Sequence, residues 1–225
     1  CWSVAHLGPI AGTASDTALA YAVMAGPDLR DPNSLHQTLP TLENWDQLNL
    51  RGLKLGVYKP WFQHADAEVV AACESMLKRF TDMGAEIREI VIPDLELNRV
   101  AHIITIGCEM AQAMSYTYAE HHREHGLDVR LNLALGRAFN TQDYLLAQRA
   151  RTRIINNFNR VLKNVDMILT PTTAIAAPPI PKDALPNGNS DLTTTIEIMR
   201  VVTAANITGL PAISFPVGYT KSGLP

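Results

Sequence analysis

His121-His-Arg-Glu-His125 is the densest set of metal-capable side chains in this sequence. A spacing of four would bring His121 and His125 to one face of a helix, as a zinc site requires. The order is not His-Glu-x-x-His, and spacing pairs no third ligand with the two. The run is highly charged and closes on Gly126. It reads as a solvated helix terminus, where cations also suit the helix dipole, and no metal is assigned. His6, His36, His64 and His102 are isolated, and His102 lies in an apolar helical stretch. Cys108, in Ile106-Gly-Cys-Glu-Met110, reads as a core thiol, because no run of Lys or Arg beside it would depress its pKa. No Gly-x-Ser-x-Gly elbow, Walker loop or Gly-x-Gly-x-x-Gly fingerprint occurs, and no cofactor is assigned.

Two stretches carry more. Ile168-Leu-Thr-Pro-Thr-Thr173 places hydroxyls and a proline at the carboxyl end of a strand, where ligands sit in open α/β sheets. Ala205-Asn-Ile-Thr-Gly-Leu-Pro-Ala-Ile-Ser214 joins a helix to a strand. There Gly209 can adopt a positive φ, and Asn206 or Thr208 can satisfy orphan backbone groups. Both stretches also read as plain structural junctions. Asn206-Ile-Thr208 matches a glycosylation acceptor formally, but its apolar flanks predict burial without modification.

The elements that must position these groups alternate in type. Thr13-Ala-Ser-Asp16 opens an Ala-rich helix that ends at Gly26-Pro27, and its apolar character predicts burial. A linker rich in Asp, Pro and Asn follows to about residue 49. Leu53 to Tyr58 reads as a strand, 66–83 as a helix with Gly84 as its cap, and Glu86 to Ile92 as a second strand. Strand, helix and strand in so short a span imply a parallel pair. Leu95 to about His121 reads as one long or broken helix, weak at Gly107. Thr141 caps another that runs through Leu162. Asp166 to Thr170 is a short apolar strand of a sheet buried on both faces. Residues 174–189 form a long loop. Thr193 to Asn206 returns to helix, and Leu210 to Val217 is a strand bounded by prolines. The fold class is α/β, with a mixed, largely parallel sheet flanked by helices.

Composition narrows the function. Of 225 residues, 47% are hydrophobic and 18% charged, enough for a sizeable core. A net charge of −3 argues against a nucleic-acid partner, which needs a basic face. Three dispersed cysteines, at 1, 73 and 108, give no disulfide framework and fit a reducing, intracellular setting. No apolar run reaches the roughly 18 residues of a membrane span. The chain opens at Cys1 without Met and stops in turn chemistry at Ser222-Gly-Leu-Pro225, so it reads as the rear portion of a larger enzyme.

Four motifs in order carry a family resemblance. Gly8-Pro-Ile-Ala11, followed by Asp16 and the helix ending at Ala25-Gly26, resembles the segment just after the active-site loops of amidase-signature hydrolases. Leu50-Arg-Gly-Leu-Lys-Leu-Gly-Val57 is similar to a later segment of the same family. Asp166-Met-Ile-Leu-Thr-Pro-Thr-Thr173, with Ala177-Pro-Pro179, resembles its Asp-x-(Ile/Leu)-(Leu/Val)-Thr-Pro-Thr strand and loop. Asn206-Ile-Thr-Gly-Leu-Pro-Ala-Ile-Ser214, with Pro216 and Gly218, resembles its late Asn-x-(Thr/Ser)-Gly-x-Pro-Ala-x-Ser motif. Val57-Tyr-Lys-Pro-Trp-Phe62 and Ala101-His-Ile-Ile-Thr-Ile-Gly-Cys-Glu109 lean toward its fatty-acid amide hydrolase-like branch.

The resemblance implies an incomplete amidase-signature fold, with residues 1–225 as the C-terminal portion of a single domain. It implies hydrolysis of an amide C–N bond by a Ser-Ser-Lys triad, with Lys acting through a bridging Ser on the nucleophile. Those parts precede the position matching Gly8, so no catalytic residue is assigned within 1–225, and the isolated chain is expected to be inactive. The family's Asp before Gly-Pro is replaced here by Ala5 or His6. The helix from Thr193 to Ala205 resembles the one bordering the acyl pocket, which makes Ile198 and Val202 the candidate substrate-binding residues. The implied partner is a small-molecule amide. A fatty substrate is compatible with peripheral membrane contact, a homodimer is left open, and the expected location is intracellular, cytoplasmic or membrane-associated. The alternatives are a glutamine amidotransferase A-type subunit and a non-catalytic pseudoenzyme or partner protein.

Overall fold

Alternating Leu and Val around Gly56 form the expected strand β1 (Lys54–Val57) in the computed structural model, which describes residues 1–47, 49–180 and 191–225. Parallel strands flank β1 on both sides: β2 (Glu86–Glu89) and β3 (Met167–Leu169). Lys54 pairs with Glu86, and Leu55 with Met167. The Asp166 carboxylate accepts from the Lys54 N–H at 2.7 Å, fixing the start of the β1–β3 ladder. Strand side chains alternate between faces, and the sheet separates two cores. Leu169 and Val57 pack with Phe62, Cys73, Leu77 and Val217. Ile168 packs with the cluster of Val4, Ile92, Ala101, Ile154, Phe158 and Ile207. β3 is only partly covered: Met167 is 53% exposed, so the expectation of burial on both faces does not hold at its first residue.

The crossover from β1 to β2 runs through the short α2 (Lys59–Gln63) and α3 (Ala67–Asp82). The larger layer is α4 (Glu96–Ala113), α5 (Ser115–His121), α6 (Leu127–Ala138) and α7 (Thr141–Val161). α4 is its centre and packs on α6, α7 and the later α9. α7 is capped by Asn140 in a capping box, not by Thr141 as the sequence suggested. The Asn140 side chain accepts from the N–H groups of Gln142 and Asp143, and the Asp143 carboxylate accepts from the Asn140 N–H. Its buried stripe is Ala147, Ile154 and Phe158.

The long helix expected from residue 95 breaks at Met114, not at Gly107. Gly107 is instead where α4 meets α6 at Gly136, and α6 itself was not anticipated.

Two further expectations fail. α1 (Ala14–Met24) is capped by Thr13 as read, yet no residue of it is buried, and Val23 is 80% exposed. Ala18, Ala20 and Ala22 are half-covered, while Leu19, Val23 and Met24 face solvent. Residues 210–217 run without a strand assignment. Pro211 and Pro216 have no N–H to donate to a ladder, so the segment is held by side chains instead. Phe215 packs near Phe80, with ring centroids 6.3 Å apart, and Val217 joins the core beneath α3.

Candidate functional site

The two stretches singled out from the sequence meet in the fold. Beyond β3 the chain turns at Pro171, and the Thr172 hydroxyl lies 2.8 Å from the Ser214 hydroxyl. Thr173 donates to the Ile175 carbonyl at 2.8 Å, which holds the turn. Between this turn, α3 and residues 214–220 lies a cleft of about 440 Å³. Val69, Ala72, Cys73, Thr172, Ser214 and Val217 are among its lining residues. Its position at the carboxyl ends of parallel strands is where open α/β sheets receive ligands. Among the described residues no imidazole or amine lines it; the Glu68 carboxylate and the Cys73 thiol are its titratable side chains beside the hydroxyls. Burial pushes the Cys73 thiol up, and burial, then the nearby Asp143 and Glu109 carboxylates, does the same for Cys108. Both cysteines are therefore poor nucleophiles.

Ile198 and Val202 lie apart from this cleft. Ile198 is on α8 (Leu192–Met199), and Val202 is in the turn that leads into α9 (Thr203–Thr208). Both are half-buried. The single helix expected from Thr193 to Asn206 is thus two helices, although Arg200 and Val202 keep right-handed helical backbone between them. Asp191 caps α8 by accepting from the N–H groups of Thr193 and Thr194. The Thr194 hydroxyl and those bonds hold its carboxyl below the usual range. At the other end Arg200 binds the His64 ring and carbonyl and pairs with Glu197 at 3.2 Å. α9 ends at Gly209, whose φ of +74° and N–H bond to Ala205 O close the helix as the sequence predicted. Much of the loop read over 174–189 lies outside the described residues.

A third constellation escaped the sequence reading. His102, Thr105 and Glu109 are spaced three and four apart on α4 and are all buried. Facing them on α7 are Gln148 and Arg151. Gln148 donates to the Thr105 hydroxyl at 2.9 Å. Ser3 enters from the N-terminal segment and is held on every polar atom. Its N–H and hydroxyl donate to the Glu109 carboxylate, and Arg151 donates to its hydroxyl at 2.8 Å and its carbonyl at 2.6 Å. Arg151 Nε also reaches the Ile207 carbonyl at 2.8 Å, and Asn206 donates to Val4 O at 2.7 Å. The signal that could have found the cluster is a glutamate seven residues after a histidine on an otherwise apolar helical face.

Burial pushes the His102 pKa down to about 4, with the Arg151 charge adding to the effect. A group depressed below its unfolded value of about 6.5 contributes full stability above that pH and loses it as pH falls toward 4. The loss is about 3 kcal/mol, from 1.36 kcal/mol per pKa unit. Urea midpoints measured from pH 7 to pH 4 should therefore fall steeply in the wild type and much less in His102→Gln. Equal slopes in the two proteins would show that His102 does not drive the loss.

His121 and His125 do not share a helix, since α5 ends at His121. The His121 ring is hydrogen-bonded to Glu124 at 2.8 Å, as befits a helix terminus.

Comparison with known proteins matches residues 1–225, the whole chain, to the family model described as Amidase. A fatty acid amide hydrolase of Medicago truncatula is 41% identical over 230 residues, covering 99% of this chain and 38% of that protein. A bacterial aryl acylamidase of the amidase signature family superposes with a TM-score of 0.78 at 23% identity, covering 96% of this chain and 47% of that one. A glutamyl-tRNA(Gln) amidotransferase subunit from Thermotoga maritima superposes with a TM-score of 0.68 at 25% identity, covering 96% of this chain and 46% of that one. The chain therefore spans less than half the length of each of these relatives.

Proposed function

We propose, from the premise that this chain belongs to the amidase family, that residues 1–225 are the C-terminal portion of a single amidase-signature domain in an enzyme that hydrolyses fatty-acid amides. The observation that carries this reading is the 41% identity, over 99% of the chain, to a protein named fatty acid amide hydrolase. In this reading the nucleophile and its base belong to the protein outside residues 1–225, and this portion supplies scaffold and part of the substrate wall. The exposed apolar side chains of the first forty residues support it. Leu7, Ile10, Val23 and Leu29 are each at least 80% exposed, a surface suited to being covered by more of the same polypeptide. The substrate is a small-molecule amide and not a nucleic acid, in keeping with the net charge of −3. No described helix is long and apolar enough to cross a membrane. Peripheral membrane contact is the proposed route to a fatty substrate.

The test is a substrate panel on the full-length polypeptide that contains residues 1–225. A long-chain acyl amide should be hydrolysed in preference to a short-chain amide and to glutamine. Preference for glutamine would instead place the protein with the amidotransferase subunits. Ile198→Ala and Val202→Ala test the acyl wall. Removing apolar contact of about 1.4 kcal/mol lowers kcat/KM for the long-chain amide about tenfold and leaves the short-chain value unchanged. An unaltered long-to-short ratio in both variants would remove these residues from the wall.

A further inference from the structure

We propose that Glu109 and Arg151 are positioning residues for the hydrolytic reaction, gripping Ser3 from α4 and α7 so as to fix the chain that leads into the reactive loops. This inference rests on the reading of residues 1–225 as part of an amide hydrolase.

Three features argue for a grip directed at one place in the chain. First, the bonds converge on a single residue. The N–H, carbonyl and hydroxyl of Ser3 are all taken by Glu109 and Arg151 side-chain atoms. Asn206 adds the carbonyl of Val4, whose side chain is fully buried in the core of α4, α7 and α9. Second, the two charges do not simply pair with each other. The Ser3 hydroxyl donates to Glu109 and accepts from Arg151, so its proton has one place and the residue one orientation. Third, the choice of residues is costly. Glu109 is buried and Arg151 half-buried, and withdrawing such charges from water is seldom repaid in stability. What ionic groups add is specification of position, because their geometry tolerates only one arrangement.

Arg151 is itself braced. Its Nε is bound to the Ile207 carbonyl in α9, so one guanidinium ties α7, α9 and the N-terminal segment together. Neutral His102 stands near it and adds no competing positive charge. A shift of about 1 Å at Ser3 would be passed directly to its chain neighbours, and misplacement on that scale costs about 100-fold in rate.

Arg151→Met, Arg151→Lys and Glu109→Gln in the full-length polypeptide test the proposal with a long-chain acyl amide as probe. Arg151→Met should lower kcat about 100-fold with KM within about threefold. Arg151→Lys, which keeps the charge but not the fork, and Glu109→Gln, which keeps an acceptor, should each recover part of the loss. Amide hydrogen exchange on the same full-length polypeptide supplies a second readout. Residues 1–5 should exchange faster in Arg151→Met, while α4, α7 and α9 remain as protected as in the wild type. An active wild type with unchanged kcat in Arg151→Met overturns the proposal. So does a rise in exchange spread evenly over α4, α7 and α9, which marks plain loss of stability. A wild type that hydrolyses no amide defeats the functional reading instead, and the exchange pattern still decides whether the grip exists.

Discussion

Gly136→Ala should separate α4 from α6 and cost at least about 4 kcal/mol, beyond the 1–3 kcal/mol usual for overpacking. The two helices touch glycine to glycine. A Cβ on Gly136 would overlap the carbonyl oxygen of Gly107 and stand 2.6 Å from its carbon. Both obstacles are backbone, so no rotamer change relieves them. Only movement of a whole helix does, and that would open the packing around Leu133, which is fully buried on α6. The reciprocal change is the control. A Cβ on Gly107 would meet Gly136 Cα at 3.3 Å and Phe139 Cε2 at 3.7 Å, a crowding that shifts of a few tenths of an ångström absorb. Alanine also gains about 1 kcal/mol of helix propensity over glycine at either site. Gly107→Ala should thus lie within about 1 kcal/mol of the wild type in urea unfolding. Equal costs for the two variants would contradict the geometry described.

Phe158→Ala should cost about 3–5 kcal/mol, as a large side chain removed from a closed core leaves a cavity its neighbours cannot fill. Phe158 is 3% exposed on α7, and its ring stands 6.5 Å from that of Trp61, which in turn meets Tyr58 edge-on at 5.8 Å. The three rings tie the helical layer to the end of β1, so the loss should be felt on both sides of the sheet. Phe158→Leu keeps most of the volume and should cost less than about 1.5 kcal/mol. Denaturant midpoints of the two variants check this, and an alanine variant no worse than the leucine one would refute the core assignment.

The parts legible in the sequence are those written in local chemistry. Gly84 ends α3, and Gly209, with its φ of +74°, closes α9. The strands around Leu55 to Val57 and at Glu86 pair in parallel as expected, and the apolar run at Met167 to Leu169 forms a strand whose place beside β1 the sequence left open. Thr172 and Ser214 were each marked, forty-two positions apart, and the fold joins them. What stayed illegible depends on distant partners. The role of Gly107 was invisible because Gly136, which explains it, lies on a helix whose periodicity was not read. Glu109 and Arg151 passed as ordinary charges because their common target, Ser3, is more than a hundred residues from either. The burial expected of α1 failed for a related reason: composition shows that a helix needs a cover but not where the cover comes from.

In the proposed reading, residues 1–225 shape and brace a hydrolytic site whose nucleophile lies in another part of the same protein. The most direct measurement is to label the full-length polypeptide with an acyl-chain fluorophosphonate, which forms a stable adduct with an activated serine, and to map the adduct by peptide mass spectrometry. The account predicts one modified serine, outside residues 1–225, protected by a long-chain acyl amide. An adduct on Ser3, Ser214 or any other serine within residues 1–225, or no adduct at all, would contradict it.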